Sequence, residues 1–205
     1  MGGVAHIGLL GGTFDPPHIG HLWLAETAQE QLGLTEVVFL PVGEPPHKRD
    51  RLITAVSHRL HMLQLALQDT PFAIDLLDTY RPPPHTTVTL LPLLRATQPD
   101  AAFWWLIGAD SLRDLPTWHD PQTIIAQCRL AVLPRSGVEI DWERLETAVP
   151  GIRAAVDWLS GPTLSLSSTV LRQWSRAGYS VRPLVGTAVG HYIQQHSLYK
   201  EKNRG

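Results

Sequence analysis

The chain has 205 residues, 43% of them hydrophobic, which is enough for one domain with a substantial core. Its formal net charge of -2 excludes the strongly basic balance of nucleic-acid-binding domains, so no nucleic-acid partner is expected. The single cysteine, Cys128, excludes an internal disulfide, and the longest apolar run, residues 101–107, is too short to cross a bilayer. We therefore expect one domain over residues 1–205 of a cytoplasmic protein without a membrane partner, and a homo-oligomer is compatible with this composition.

The first loop is the most informative stretch of the sequence. Residues 4–10 predict a short buried strand, and residues 22–28 predict a helix. The segment between them, residues 11–21, is called the histidine loop below. Its glycines allow a tight turn, and the free N–H groups and dipole of the following helix favour an anion. Because the loop has neither a GxGxxG nor a GxxxxGK[ST] pattern, it predicts a phosphate site of another kind.

Two histidines give this loop its chemistry. His18 and His21 stand three apart at the predicted helix start, which puts both imidazoles on one face beside the glycine turn. Each can donate an N–H to a phosphate oxygen, and each is of a type that can be cationic near neutral pH. The same spacing occurs in zinc sites, so a metal pair is the alternative, with Asp15 as the only further ligand nearby.

Beyond the histidine loop, short apolar runs alternate with helix-like segments. The predicted strands are residues 36–41, 72–75, 102–107 and 129–133, and the predicted helices are residues 57–68, 86–96, 168–176 and 187–195. Pro92 weakens the second of these helices. This alternation predicts an α/β fold, a Rossmann-like doubly wound and mostly parallel sheet, with a small C-terminal helical part at about residues 166–200.

Charged residues follow two of the predicted strands, at the sheet edge where ligands bind in such folds. Lys48 lies in a proline-stiffened loop after the second strand, and Arg135 lies just past the fifth. Both are candidates for phosphate binding, with a solvated surface position as the alternative for each. Arg59 lies on a predicted helix, where it can form an ion pair or assist the site, and the sequence does not decide between the two.

The segment after the fourth strand suits a nucleoside. Gly108 allows a turn, and Asp110 can accept hydrogen bonds from ribose hydroxyls or cap the following helix. Trp118 lies in a polar stretch where periodicity does not demand a core aromatic residue. Its flat ring is suited to stacking on an aromatic base, with ordinary packing as the alternative.

A second candidate anion site lies near the C-terminus. Ser167 is a good helix N-cap, so an ordinary helix start explains part of this segment. The hydroxyls of Ser167, Ser168 and Thr169, together with free N–H groups, also form a place for an anion. Arg172, at most one turn further on, adds a forked cation suited to phosphate.

These motifs resemble those of a known enzyme family. Residues 12–21 resemble the GTFDPxHxGH signature of the HxGH nucleotidyltransferase superfamily, and residues 164–172 resemble its ISSTxIR motif. The PPHK segment at 45–48 and the GADSL…PTWH segment at 108–119 resemble those of nicotinate-nucleotide adenylyltransferases. The resemblance extends from residue 4 to about residue 200. His85-Thr86-Thr87 stands where that family often has Ser-Tyr-Thr, and His119 stands where Tyr is common.

The resemblance implies an activity and a site. ATP and nicotinate mononucleotide would be joined to give nicotinate adenine dinucleotide and pyrophosphate, with Mg2+ bound through substrate phosphates rather than by a protein metal site. His18 and His21 would be catalytic, and the nicotinate and ribose would contact Thr87, Gly108, Asp110, Trp118 and His119. The implied ATP and phosphate contacts are Gly12, Thr13, Phe14, Lys48, Arg135, Ser167, Ser168, Thr169 and Arg172.

Other functions remain open at this point. Nicotinamide-mononucleotide or phosphopantetheine adenylyltransferases and cytidylyltransferases share the HxGH site. A nucleotide-binding regulator without turnover is the non-enzymatic alternative, and a zinc protein using His18 and His21 is a third.

Overall fold

A computed structural model describes residues 3–43 and 53–200 of the chain, and its described strands form one parallel sheet. The sheet order is β3-β2-β1-β4-β5-β6, so the order reverses between β1 and β4. Leu9 of β1 lies opposite Val38 of β2 on one side and Trp105 of β4 on the other. The strands are β1 (His6–Gly12), β2 (Glu36–Pro41), β3 (Ala73–Ile74), β4 (Ala102–Gly108), β5 (Arg129–Leu133) and β6 (Val156–Trp158).

Helices connect the strands and cover both faces of the sheet. A single 3-10 turn over Leu115–Thr117 follows the fifth helix. The helices are α1 (Ile19–Leu32), α2 (Val56–Leu67), α3 (Leu77–Tyr80), α4 (Thr87–Thr97), α5 (Ala109–Asp114), α6 (Pro121–Gln127), α7 (Trp142–Ala148), α8 (Ile152–Ala155), α9 (Ser168–Arg176), α10 (Arg182–Val185) and α11 (Thr187–Gln195).

The four central strands are buried on both faces, because alternate side chains enter two different hydrophobic clusters. In β4, Phe103 and Trp105 pack with α4, α5 and α6 on one face, whereas Leu106 packs with α1 and α2 on the other. The four central strands share this alternation. This explains why they appear in the sequence as continuous apolar runs rather than as alternating patterns.

A third cluster joins the C-terminal helices to the rest of the chain. Met62 of α2 packs with Leu171 of α9, Val185 of α10, and Val189 and Ile193 of α11. These helices are therefore packed on α2, which itself follows the sheet strand β2. No helix among the described residues has both the length and the apolar character needed to cross a membrane.

The doubly wound parallel sheet is confirmed, and most predicted elements lie within a few residues of their expected positions. α4 passes through Pro92, which is exposed to solvent. The sequence patterns did not predict the edge strand β6, the short helices α3, α8 and α10, or the helices α6 and α7.

Candidate active site

A cavity of about 500 Å3 opens at the carboxyl ends of the central strands. It lies where the strand order reverses between β1 and β4, which is the usual ligand position in open α/β sheets. Ten of the residues predicted for the site line it: Gly12, Thr13, His18, His21, Thr87, Gly108, Asp110, Trp118, His119 and Arg135.

The two histidines of the loop lie side by side at the start of α1. Their rings are stacked with centroids 3.7 Å apart. The backbone N–H of His18 donates to Nδ1 of His21 at 3.1 Å. An accepting Nδ1 places the proton of a neutral His21 on Nε2, which becomes a hydrogen-bond donor. His18 is buried, and its Nδ1 has no hydrogen-bond partner among the described residues.

The possibility that these histidines are cationic near neutral pH is wrong in this structure. Burial, and secondarily the charge of Arg135, lowers the pKa of His18 to about 4. Burial, followed by the neighbouring His18 and by Arg135, lowers the pKa of His21 well below its ordinary value. Both imidazoles are therefore neutral near pH 7 in the ligand-free protein.

The ring of Phe14 packs against a residue of β2 and against a histidine of the histidine loop. Its side chain is buried, with its ring 5.5 Å from the ring of Phe39 and edge-on to the ring of His21 at 5.1 Å. The predicted phosphate contact of Phe14 is therefore restricted to its backbone, because the side chain belongs to the core. Gly12 ends β1, and its carbonyl accepts from the N–H of Val42.

Arg59 is a buried anchor for the loop, which settles a question that the sequence left open. Its guanidinium donates to the carbonyl oxygens of Thr13, Val42, Gly43 and Thr54 at 2.7–3.1 Å. The side chain thus ties the histidine loop to the segments that follow β2 and precede α2. No carboxylate of the described residues forms an ion pair with it.

Asp110 and Arg135 face each other across the carboxyl ends of β4 and β5. Arg135 Nη1 lies 3.3 Å from Asp110 Oδ2, while Asp110 Oδ1 is buried without a hydrogen-bond partner in the described part of the chain. Gly108 makes room for the pair, because a Cβ there would stand 2.6 Å from Asp110 Oδ1 and 2.9 Å from Arg135 Nε. Asp110 does not cap α5, because the N-cap of this helix is Gly108 and no side chain caps it.

The cavity lining also includes an aromatic ring and a helix start. Trp118 is partly buried against the hydrophobic cluster under α4 and also lines the cavity, so it both packs and presents a surface to a ligand. Thr86 is the N-cap of α4. The N–H groups of Thr87 and Val88 have no partner among the described residues, as expected for a first helical turn. His119 is exposed at the cavity wall.

The second predicted anion site lies against the histidine loop. Arg172 Nη1 donates to the carbonyl oxygen of Asp15 at 2.7 Å, and Ser168 Oγ donates to that of Pro16 at 2.9 Å. Ser167 caps α9 through Val170, and Thr169 accepts from Arg172. None of Ser167, Ser168, Thr169 and Arg172 lines the cavity itself, but the N–H groups of Ser168 and Thr169 have no partner in residues 3–43 and 53–200.

Lys48 lies outside the described residues, as does the whole PPHK segment.

A buried polar network at the cavity wall was not predicted. Asp78 accepts from Arg81 Nε at 2.7 Å, and its Oδ1 also lies 3.4 Å from Nδ1 of His85. All three side chains are largely buried, and Asp78 and His85 line the cavity. The segment with His85 was noted only as a departure from a family pattern, and no sequence spacing joins it to Asp78, because the contact is made across a loop.

The donor groups of the site do not form a protein metal centre. Among the described residues, no group of three or more His, Cys, Asp and Glu side chains is placed to hold a metal ion. The cavity carboxylates Asp78 and Asp110 are each paired with an arginine.

Comparisons with known proteins agree with this geometry. Residues 9–174 match the cytidylyltransferase-like family. The chain is 44% identical to a probable nicotinate-nucleotide adenylyltransferase of Thermomicrobium roseum, over 96% of this chain and 92% of the relative. It is 45% identical to a protein of the same description from Synechococcus sp. (strain JA-3-3Ab), over 94% of each chain.

The chain belongs to the nicotinate-nucleotide adenylyltransferase family. Solved structures show the same fold. A Plasmodium falciparum nicotinic acid mononucleotide adenylyltransferase complexed with NaAD superposes with a TM-score of 0.79 at 19% identity, covering 95% of this chain and 97% of the other. The same enzyme complexed with APC gives a TM-score of 0.75 with the same identity and coverage.

Proposed function

We propose that this protein joins ATP and nicotinate mononucleotide to give nicotinate adenine dinucleotide and pyrophosphate. One observation carries the proposal together with the family membership. Arg172 of α9 contacts the loop that holds His18 and His21, so two donor clusters far apart in sequence meet at the histidine loop, whose histidines line the cavity. A polyphosphate is the ligand that such convergent donors fit best.

The reaction needs positioning rather than a general base. The attacking group is the phosphate monoester of the mononucleotide, whose second pKa is about 6, so it is ionised at neutral pH. It attacks the α-phosphorus of ATP, a P–O bond forms, and the bond to the leaving pyrophosphate breaks. What the protein must supply is alignment of two anions that repel each other and stabilisation of the charge that develops on the leaving group.

The described residues supply these functions as follows. The neutral imidazoles of His18 and His21 donate N–H groups to phosphate oxygens. Arg135, with its charge only partly compensated by Asp110, stands at the same wall. The free N–H groups at the start of α9 complete the anion site. A magnesium ion bound to the triphosphate would add positive charge to these oxygens and is held by the substrate alone.

The proposal also includes a preference for nicotinate mononucleotide over nicotinamide mononucleotide. Trp118 provides a face for the pyridine ring, and the free N–H groups of Thr87 and Val88 at the start of α4 provide donors. A carboxylate only accepts hydrogen bonds, whereas a carboxamide also presents an NH2 that would stay unpaired against these donors. We therefore expect a higher kcat/KM for nicotinate mononucleotide than for nicotinamide mononucleotide, and equal values would contradict this assignment.

An acceptor screen tests the function. The purified protein is incubated with ATP, magnesium and one acceptor at a time, and pyrophosphate is measured. The acceptors are nicotinate mononucleotide, nicotinamide mononucleotide and phosphopantetheine, with CTP in place of ATP as a further arm. We expect fastest release with ATP and nicotinate mononucleotide. Absence of pyrophosphate release with every acceptor would indicate a regulator, and stoichiometric zinc by elemental analysis would indicate a metal protein.

A further inference from the structure

Asp15 is a buried carboxylate inside the histidine loop, three residues before His18, and no step of the proposed reaction uses it. Only 2% of its surface is exposed. Its Oδ1 accepts from the hydroxyl of Tyr199 at 2.7 Å, and its Oδ2 accepts from the backbone N–H of Thr54 at 3.2 Å. A carboxylate this deeply buried is costly unless its oxygens are hydrogen-bonded, so both contacts matter to the loop.

The hydroxyl of Tyr199 donates to this carboxylate, and the charge of Arg59 also acts on it. Burial, the charge of Asp15 and the hydrogen bond to it together raise the pKa of the Tyr199 hydroxyl. The hydroxyl therefore keeps its proton and remains a donor at any physiological pH. Hydrogen bonds to charged acceptors are also stronger than neutral ones.

Tyr199 reaches the loop from the C-terminal tail, residues 196–200, which follows α11. Two non-glycine residues of this tail, Ser197 and Tyr199, have positive φ values of 49° and 66°. Such conformations cost about 1 kcal/mol or more for residues with a Cβ and persist only where surrounding contacts hold them. The tail is thus bent back toward the loop, and the buried Tyr199–Asp15 contact is one of the interactions that hold it there.

Three other segments of the chain therefore bind the histidine loop at Asp15. Tyr199 and Thr54 bind its carboxylate, and Arg172 Nη1 binds its carbonyl oxygen at 2.7 Å. These contacts connect the C-terminal tail, the segment before α2 and the start of α9 to the same residue. The backbone then runs through Pro16 and Pro17 directly to His18, so a displacement of Asp15 is passed on to the imidazoles.

We propose that Tyr199 is a positioning residue, which holds the histidine loop through Asp15 so that His18 and His21 meet the reacting phosphates. This inference rests on the proposed adenylyltransferase function for its kinetic consequence. Phosphate donors displaced by a fraction of an ångström still bind ATP but stabilise the transition state less well. The loss therefore falls on kcat rather than on KM.

The kinetic test compares Tyr199→Phe with Tyr192→Phe. Both changes remove one tyrosine hydroxyl from the C-terminal part, but the Tyr192 hydroxyl bonds Nδ1 of His58 at 2.8 Å and has no contact with the loop. We expect Y199F to lower kcat by about tenfold or more with KM for ATP changed by less than about threefold. Y192F should stay within about twofold of the wild type in both constants, measured below the melting temperature of each variant.

A second variant links the effect to Asp15. Asp15→Asn removes the buried charge at constant size, and we expect it to lower kcat as Y199F does. If the two residues act as one unit, the double variant D15N/Y199F loses no more than the more damaging single variant. Additive losses would mean that Tyr199 acts on the site by another route. If Y199F does not fold, the kcat of D15N still tests whether the contacts of Asp15 position the histidine loop.

A readout without substrate separates this inference from the proposed function. The Cε1–H signals of His18 and His21 are assigned by NMR with His18→Gln and His21→Gln variants. They should shift in Y199F and keep their wild-type positions in Y192F. Unmoved signals, a wild-type kcat in Y199F, or an equal loss in Y192F would overturn the inference. Shifted signals in a protein that does not turn over nicotinate mononucleotide would refute the proposed function and leave the positioning role standing.

Discussion

His18 combines deep burial with an unpartnered Nδ1 beside the cavity. A buried polar atom without a partner is uncommon in folded proteins and lowers their stability. We expect His18→Ala to lower kcat by about 100-fold or more, because removing one preorganised donor to developing charge has an effect of this size. Far-UV circular dichroism should show an intact fold. His191→Ala, which removes an exposed imidazole from α11, is the matched control and should leave kcat unchanged.

The same imidazole makes stability depend on pH. The pKa of His18 is about 4 in the folded protein, against an ordinary value of 6.5, because burial disfavours the cation. The unfolded chain therefore binds more protons between these values, so the contribution of His18 to stability is complete above pH 6.5 and is lost as the pH falls toward 4.

We expect this contribution to fall by about 2 kcal/mol between pH 7 and pH 5. Urea unfolding of the wild type and of His18→Gln at both pH values measures it, because the glutamine does not titrate. The wild type should lose about 2 kcal/mol more than the variant over this interval. Equal losses in the two proteins would show that His18 titrates at its ordinary pKa.

At the scale of elements, Arg59 joins the histidine loop, the end of β2 and the start of α2 through four carbonyl oxygens. A lysine has a single nitrogen and cannot reproduce this fork, so Arg59→Lys leaves buried carbonyls unpaired. We expect a loss of about 2–4 kcal/mol in the free energy of unfolding, measured by urea denaturation. Arg113→Lys, at an exposed pair with Asp114, should change it by less than about 0.5 kcal/mol, and equal effects of the two changes would contradict the anchor.

Elements were predictable from the sequence where many buried residues repeat a pattern. β4 and β5 are continuous apolar runs because both their faces are covered, and residues 129–133 and 168–176 were predicted with the observed bounds. β6 has only three residues, none of them buried, so its sequence carries no such signal. Helices of four residues such as α3 and α10 are too short to show a periodicity and form only within the folded chain.

At the scale of the whole molecule, the sequence predicted the parts of the site whose residues are close together in the chain. It did not predict the parts that depend on contacts between residues distant in sequence. His18 and His21 belong to one local motif, so the sequence placed them correctly at a helix start beside the cavity. Tyr199 is 184 positions from Asp15, and no local pattern could join them. The lowered pKa of the histidines likewise arises from burial in the folded chain and from Arg135, which is distant in sequence, and a sequence pattern near the loop includes neither.

The central claim is that the histidine loop and the start of α9 bind one triphosphate while Trp118 faces the acceptor. A crystal structure of the protein with a non-hydrolysable ATP analogue, magnesium and nicotinate mononucleotide tests it directly. We predict phosphate oxygens within hydrogen-bond distance of His18, His21 and the N–H groups of Ser168 and Thr169, with the pyridine ring on Trp118. A triphosphate bound away from the two histidines, or a pyridine ring on another surface, would contradict the account.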